Sequence, residues 1–340
     1  MLPNRRLLPK SRQNSIDGSR IITLYMISGK RASCIFRKRV GSVQLNKVAD
    51  NDIIFRKLKQ TGLKHSCFGK RIGFDERAGI MGNIREILEK AFEEYVSSFD
   101  SSDERISLKI KHTFCVAENS DEICSRIGLP KEDREVAYAI AVLHDIGRFE
   151  QASRRHSFLD SSESDHAEEG VKFLFGENQI VSFLPLGSMN EDDLECIRLA
   201  IKYHNKHLLP DDLSSRQKVF CNIIRDADKL DIFRISLENS FEKVHEFSEE
   251  EVKNSKISDV VRECFAKWET LDYSKRQYPA DFFLGHIAMC FGLCYPCSRS
   301  MAAEQGYIRK MMELSFHGKN EEKMYAEMKN QVEKFLSTGN

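Results

Sequence analysis

The chain has 340 residues, with 52 basic and 52 acidic side chains and no net charge. That length suffices for one large domain or two ordinary ones. The balance is not local: residues 1–80 hold 18 Lys and Arg against 5 Asp and Glu, and the rest of the chain carries the matching acidic excess. An acidic body argues against a nucleic-acid groove outside residues 1–80, because phosphate backbones are held mainly by Lys and Arg. The apolar run Ile21–Ile27, interrupted by Thr23, is too short to span a bilayer or to form a signal-peptide core. Ten scattered cysteines with no secretory signal read as a reducing interior, so a cytoplasmic location away from membranes is expected.

Within residues 1–80 the basic side chains follow neither helical nor strand periodicity. Such a segment reads as a poorly structured basic arm for nucleic acid or a membrane surface, as a transit segment, or as upstream reading frame ahead of a start at Met81. From Met81 an amphipathic helix opens, and residues 81–340 are expected to form a separate domain.

That second region reads as all-α. Ile84, Ile87, Leu88, Ala91, Phe92 and Tyr95 predict a helix over 83–98 with one buried face. A second is expected over 105–127, stopped by Gly128 and Pro130. A third over 132–146 is nearly all apolar in its second half, the mark of a central buried helix. A polar loop is expected over 151–165, then helices from Asp165 to Phe175, over 191–204 and over 217–233, and further helices over 238–270 and 280–337. No strand alternation occurs after residue 81.

These helices each bring a candidate metal ligand to or near an end: His112, then His144 with Asp145, then His166, His204 and Asp226. Adjacent His144 and Asp145 at the close of a buried helix are costly to bury unpaired, so a cation or a hydrogen-bond network must satisfy them. Imidazoles mixed with carboxylates suit divalent Mn, Fe, Zn or Ni, tilting toward Mn or Fe. Arg148, four residues after His144, could clamp a phosphate bidentately, and Lys229, three after Asp226, could act as a point charge. Asp228 and Asp231 read as outer hydrogen-bonding or capping groups, and His156 and His207 as loop residues. Cys290, Cys294 and Cys297 have the C-x3-C-x2-C spacing of an iron–sulfur motif, but in an apolar helical stretch they read as small buried hydrophobes.

The order His112, His144-Asp145, Asp226 resembles the HD superfamily of metal-dependent phosphohydrolases. The phrases LHDIGRFEQ, SDHAEEG, HNKH and IIRDADKLD resemble a bacterial subgroup of it closely, over roughly residues 82–316. The resemblance implies a helical bundle in which His112, His144, Asp145 and Asp226 hold one divalent cation. His166 and His204 match the extra ligands of binuclear members, in which the residue matching Asp145 bridges two ions. It implies a phosphoester hydrolase in which one or two cations (Mn or Fe first, then Zn, Ni or Mg) acidify water and neutralise phosphoryl oxygens. Asp145, Arg148 and Lys229 would be its catalytic groups, and its substrate a nucleotide or similar small phosphorylated metabolite. The same ligand pattern serves HD-type diiron oxygenases, and a non-catalytic nucleotide-sensing module is the alternative outside enzymes.

Overall fold

The computed structural model describes residues 84–155 and 165–339, and the expectations for residues 1–80 and for His156 lie outside them. The described residues are all-α, with no strand among them.

Helix α1 (Ile84–Val96) buries Ile84, Leu88, Phe92 and Val96, a single stripe four residues apart. In α2 (Glu104–Arg126), the Asp103 carboxylate caps the start by accepting the amide N–H of Arg105. The third, α3 (Lys131–Leu143), buries every residue from Ala139 to Leu143. Its apolar second half has no polar face to present, so it runs through the interior and delivers His144 and Asp145 at its end.

Here the structure departs from expectation. The polar loop placed from residue 151 gives way to a further helix, α4 (Ile146–Arg155), which buries Ile146, Phe149 and Gln151. Phe149 packs edge-on against Phe92, Tyr95 and Phe99, and these tertiary contacts outweigh the polar composition. At the start of α4, a Cβ on Gly147 would lie 1.9 Å from the carbonyl oxygen of His166. Only glycine permits this approach, which sets α5 (His166–Val171) directly against α4. Asp165 caps α5 by accepting the amides of Ala167 and Glu168. A wide π turn (Lys172–Gly176) and the short α6 (Ile180–Phe183) lead on to α7 (Glu191–Tyr203) and α8 (Ser215–Glu238). Both long helices open with capping boxes, Asn190 with Asp193 and Ser214 with Gln217.

One arginine joins three of these helix starts. Arg216 Nη2 donates to Asp133 and to Asp193, each at 2.6 Å, and its Nη1 bonds Asp192. These residues lie in the first turns of α8, α3 and α7. The expected long C-terminal helices are broken into shorter pieces: α9 (Phe241–His245), α10 (Glu249–Lys253), α11 (Asp259–Lys267), α12 (Pro279–Ala288), α13 (Pro296–Gln305), α14 (Tyr307–Met311) and α15 (Lys319–Ser337). Pro279 and Pro296 each stand at a helix start, and Gly306 adopts φ +73° between α13 and α14.

Candidate metal centre

The ends of α3, α5 and α7 converge with the middles of α2 and α8 on the carboxylate of Asp145, whose residue is 3 % exposed. Around its Oδ2 stand His112 Nε2 at 3.6 Å and His144 Nε2 at 3.7 Å. Asp228 Oδ1 completes this half, 3.2 Å from His112 Nε2 and 4.0 Å from His144 Nε2. Around Oδ1 stand His166 Nε2 at 3.3 Å and His204 Nε2 at 3.7 Å, themselves 2.9 Å apart. Ligand atoms about 2.1 Å from one cation lie roughly 3–4 Å from each other, which is the spacing found in both halves.

The orientation of the rings is fixed from behind. His144 Nδ1 donates to the carbonyl of Ala141 and His204 Nδ1 to that of Ile201, each at 2.7 Å. A carbonyl can only accept, so Nδ1 carries the proton and Nε2 presents its lone pair inward. Asp231 holds His112 in the same sense, its Oδ2 2.6 Å from Nδ1, and is itself held by Arg234 at 2.6 Å and 3.0 Å. The inward Nε2 of His144 is buried with no hydrogen-bond partner. An orphaned buried lone pair facing a carboxylate is costly unless something electron-poor fills the gap. The donor set fits a divalent cation, and the triads His112, His144, Asp228 and His144, Asp145, His204 are each compact enough to hold one.

Electrostatics agree. Burial pushes the Asp145 carboxyl up, but Lys109, His144 and the other histidines hold it well below the usual carboxylate range. Asp228 is likewise lowered against burial, by His112 first. His144 is pushed down to about 4 by burial, which keeps it neutral and able to ligate. For His112, burial and Lys109 act downward, and the carboxylates of Asp228 and Asp231 reverse them, leaving it raised.

Five of the six expected metal ligands come together: His112, His144, Asp145, His166 and His204. Asp226 does not, and the expectation for it is corrected. Its fully buried carboxylate accepts the backbone N–H groups of Cys294 (2.9 and 3.0 Å) and Tyr295 (3.0 Å), closing the entry to α13. Burial raises its pKa despite these bonds and the nearby Lys229. Residues two apart on a helix point about 200° apart, so α8 can aim only one of Asp226 and Asp228 at the cluster. Asp228 lies three residues before Asp231 and shares its face. Its place is therefore in the cluster, not in the outer layer where the sequence reading put it, whereas Asp231 does occupy that layer.

Arg148 lies beside the centre, Nε 4.0 Å from Asp145 Oδ1, with Nη1 donating to Gln151 Oε1 at 3.2 Å. The ammonium of Lys229 donates to the carbonyl of Arg225 at 2.9 Å, and its stem packs under Gly292. Burial, then Arg225, lowers its pKa. The lysine that touches Asp145 is Lys109, at 2.6 Å from Oδ2. Nothing in a lysine on an amphipathic helix distinguishes it from an ordinary surface cation.

Cys290 is buried as expected and the half-buried Cys297 packs against the core, but Cys294 is exposed. His207 is exposed in the loop after α7. No helix among the described residues is long and apolar enough to cross a membrane.

No curated protein and no solved structure matches the chain. Residues 110–232, however, match the family model of the HD domain, a span that runs from two residues before His112 to one after Asp231. That match encloses His112, His144, Asp145, His166, His204 and Asp228, and it marks residues 110–232 as an HD domain built around the histidine–aspartate cluster.

Proposed function

We propose that this protein is a metal-dependent phosphohydrolase acting on a phosphoester of a nucleotide or similar small phosphorylated metabolite. The observation that carries this reading is the pair of half-sites sharing one carboxylate: Oδ2 of Asp145 faces His112, His144 and Asp228, and Oδ1 faces His166 and His204. His112, His144, Asp145 and Asp228 would hold one divalent cation, and His166, His204 and Asp145 a second, with Mn or Fe first among the metals. Bound there, the cations would acidify water and neutralise charge on a phosphoryl group.

The chain's own residues do the rest. The carbonyls of Ala141 and Ile201 and the carboxylate of Asp231 keep the imidazoles in the ligating tautomer. Arg148, whose Nε lies 4.0 Å from Asp145 Oδ1 at the start of α4, would orient a phosphoryl oxygen. Lys229 supplies positive potential next to Asp228 from α8. Asp145→Ala tests the reading: metal content, measured by elemental mass spectrometry, and phosphoesterase activity should both vanish while the fold persists. Activity and metal surviving together would sink it.

A further inference from the structure

Lys109 lies one helical turn before His112 on α2, and its ammonium meets Asp145 Oδ2 at 2.6 Å. This oxygen is the one that faces His112 and His144, at 3.6 and 3.7 Å. The Asp145 side chain is 4 % exposed and that of Lys109 22 %, so the ammonium reaches the buried carboxylate from the solvent side. One of its three N–H groups is used there, and the other two have no bond among the described residues. A flexible four-carbon stem lets such a group move by several ångströms at small cost.

An ammonium and a divalent cation are drawn to the same oxygen and repel each other there. We propose that Lys109 competes with the cation for Oδ2 of Asp145, weakening metal binding in the His112 half-site, and that the displaced ammonium takes a phosphoryl oxygen of the substrate. The chain would thereby couple metal loading to substrate binding through one side chain. The metal half of this inference stands on the contact itself, and the phosphoryl half rests on the phosphohydrolase reading.

The sign of one measurement separates this role from a supporting one. A side chain that merely orients a ligand weakens metal binding by about 10–100-fold when removed, whereas removing a competitor strengthens it. Calorimetric titration of the chelator-treated full chain with Mn2+ should show Lys109→Met binding about tenfold more tightly than wild type, with Lys109→Arg near wild type. Inorganic phosphate should then bind the Mn-loaded Lys109→Met protein about tenfold more weakly than wild type, and Lys109→Arg should restore it. Lys109→Gln repeats both titrations with a neutral polar side chain should the methionine variant fold poorly. Unchanged or weaker Mn2+ binding in the neutral variants overturns the competition. Unchanged phosphate binding overturns the transfer to substrate. Phosphate failing to bind even the Mn-loaded wild type would count against the hydrolase reading, and the Mn2+ titrations would still judge the competition.

Discussion

Two groups of histidines lie among the described residues, one fully buried and one with His245 buried and His286 half-buried, and they are built differently. In one, the inward nitrogens of His112, His144, His166 and His204 converge on Asp145, and three rings are pinned from behind. In the other, His245 and His286 share a bond between their own Nδ1 atoms at 2.7 Å, with Phe241 and Phe283 against His245. Burial lowers His245 to about 3 and His286 to about 4, and no carboxylate offsets it. Burial alone therefore does not mark a ligand. What marks it is a ring fixed through one nitrogen so that the other faces a carboxylate with nothing between them.

The comparison breaks most sharply at Asp228. Asp228→Ala should abolish metal binding in the His112 half-site and cut turnover by about 10³-fold, read by metal per chain and steady-state kinetics. Asp226→Ala should keep its metal and instead lose roughly 1–3 kcal/mol of stability, as the amides of Cys294 and Tyr295 are left without an acceptor. Urea unfolding reads that loss, and metal vanishing in both variants would overturn the assignment of faces on α8. Next in size, Gly147→Ala must push α5 away from α4, destabilising by about 3 kcal/mol. Because His166 moves with α5, the second ion should leave before the first, a stepwise loss visible in metal titration.

Smaller effects sharpen the contrast. Asp231→Asn keeps the fold but loosens the seat of His112, and metal affinity should fall about 10–100-fold in a chelator competition. The second pair gives a pH signature. Its folded pKa values lie below the ordinary 6.5, so between pH 6.5 and 4 the unfolded chain binds protons that these rings refuse. Stability is then full above pH 6.5 and falls as the pH drops through that window. His245→Phe should reduce the slope of stability against pH there by about one proton, roughly 1.4 kcal/mol per pH unit, with metal content unchanged. A changed metal count would erase the distinction between the two groups.

Much of this was legible in the residues. The apolar spacing of α1 and the unbroken run before His144 require a buried stripe and a buried helix, and histidines arriving one per helix suggested a shared destination. Three things were not legible, each for its own reason. Asp226 and Asp228 are chemically alike, and only the helical phase relative to Asp231 separates them. The helix α4 hides in polar composition because its stability comes from Phe149 meeting Phe92, Tyr95 and Phe99, residues about 50 positions away. Lys109 looks like any solvent-facing lysine until Asp145, 36 residues later, is brought beside it.

The clamp at Arg216 has a consequence in length. Asp133, Asp193 and Arg216 fix the starts of α3, α7 and α8 to one point. His144 follows Asp133 by 11 residues, His204 follows Asp193 by 11, and Asp228 follows Arg216 by 12. At 1.5 Å per residue the three helices climb about 16–18 Å from a common baseline and bring their ligands to the same height. Residue count along these segments is thus a ruler. One residue inserted in any of them would lift a ligand by about 1.5 Å and turn it by about 100°, so these three stretches cannot change length, while the loops that join them are free to.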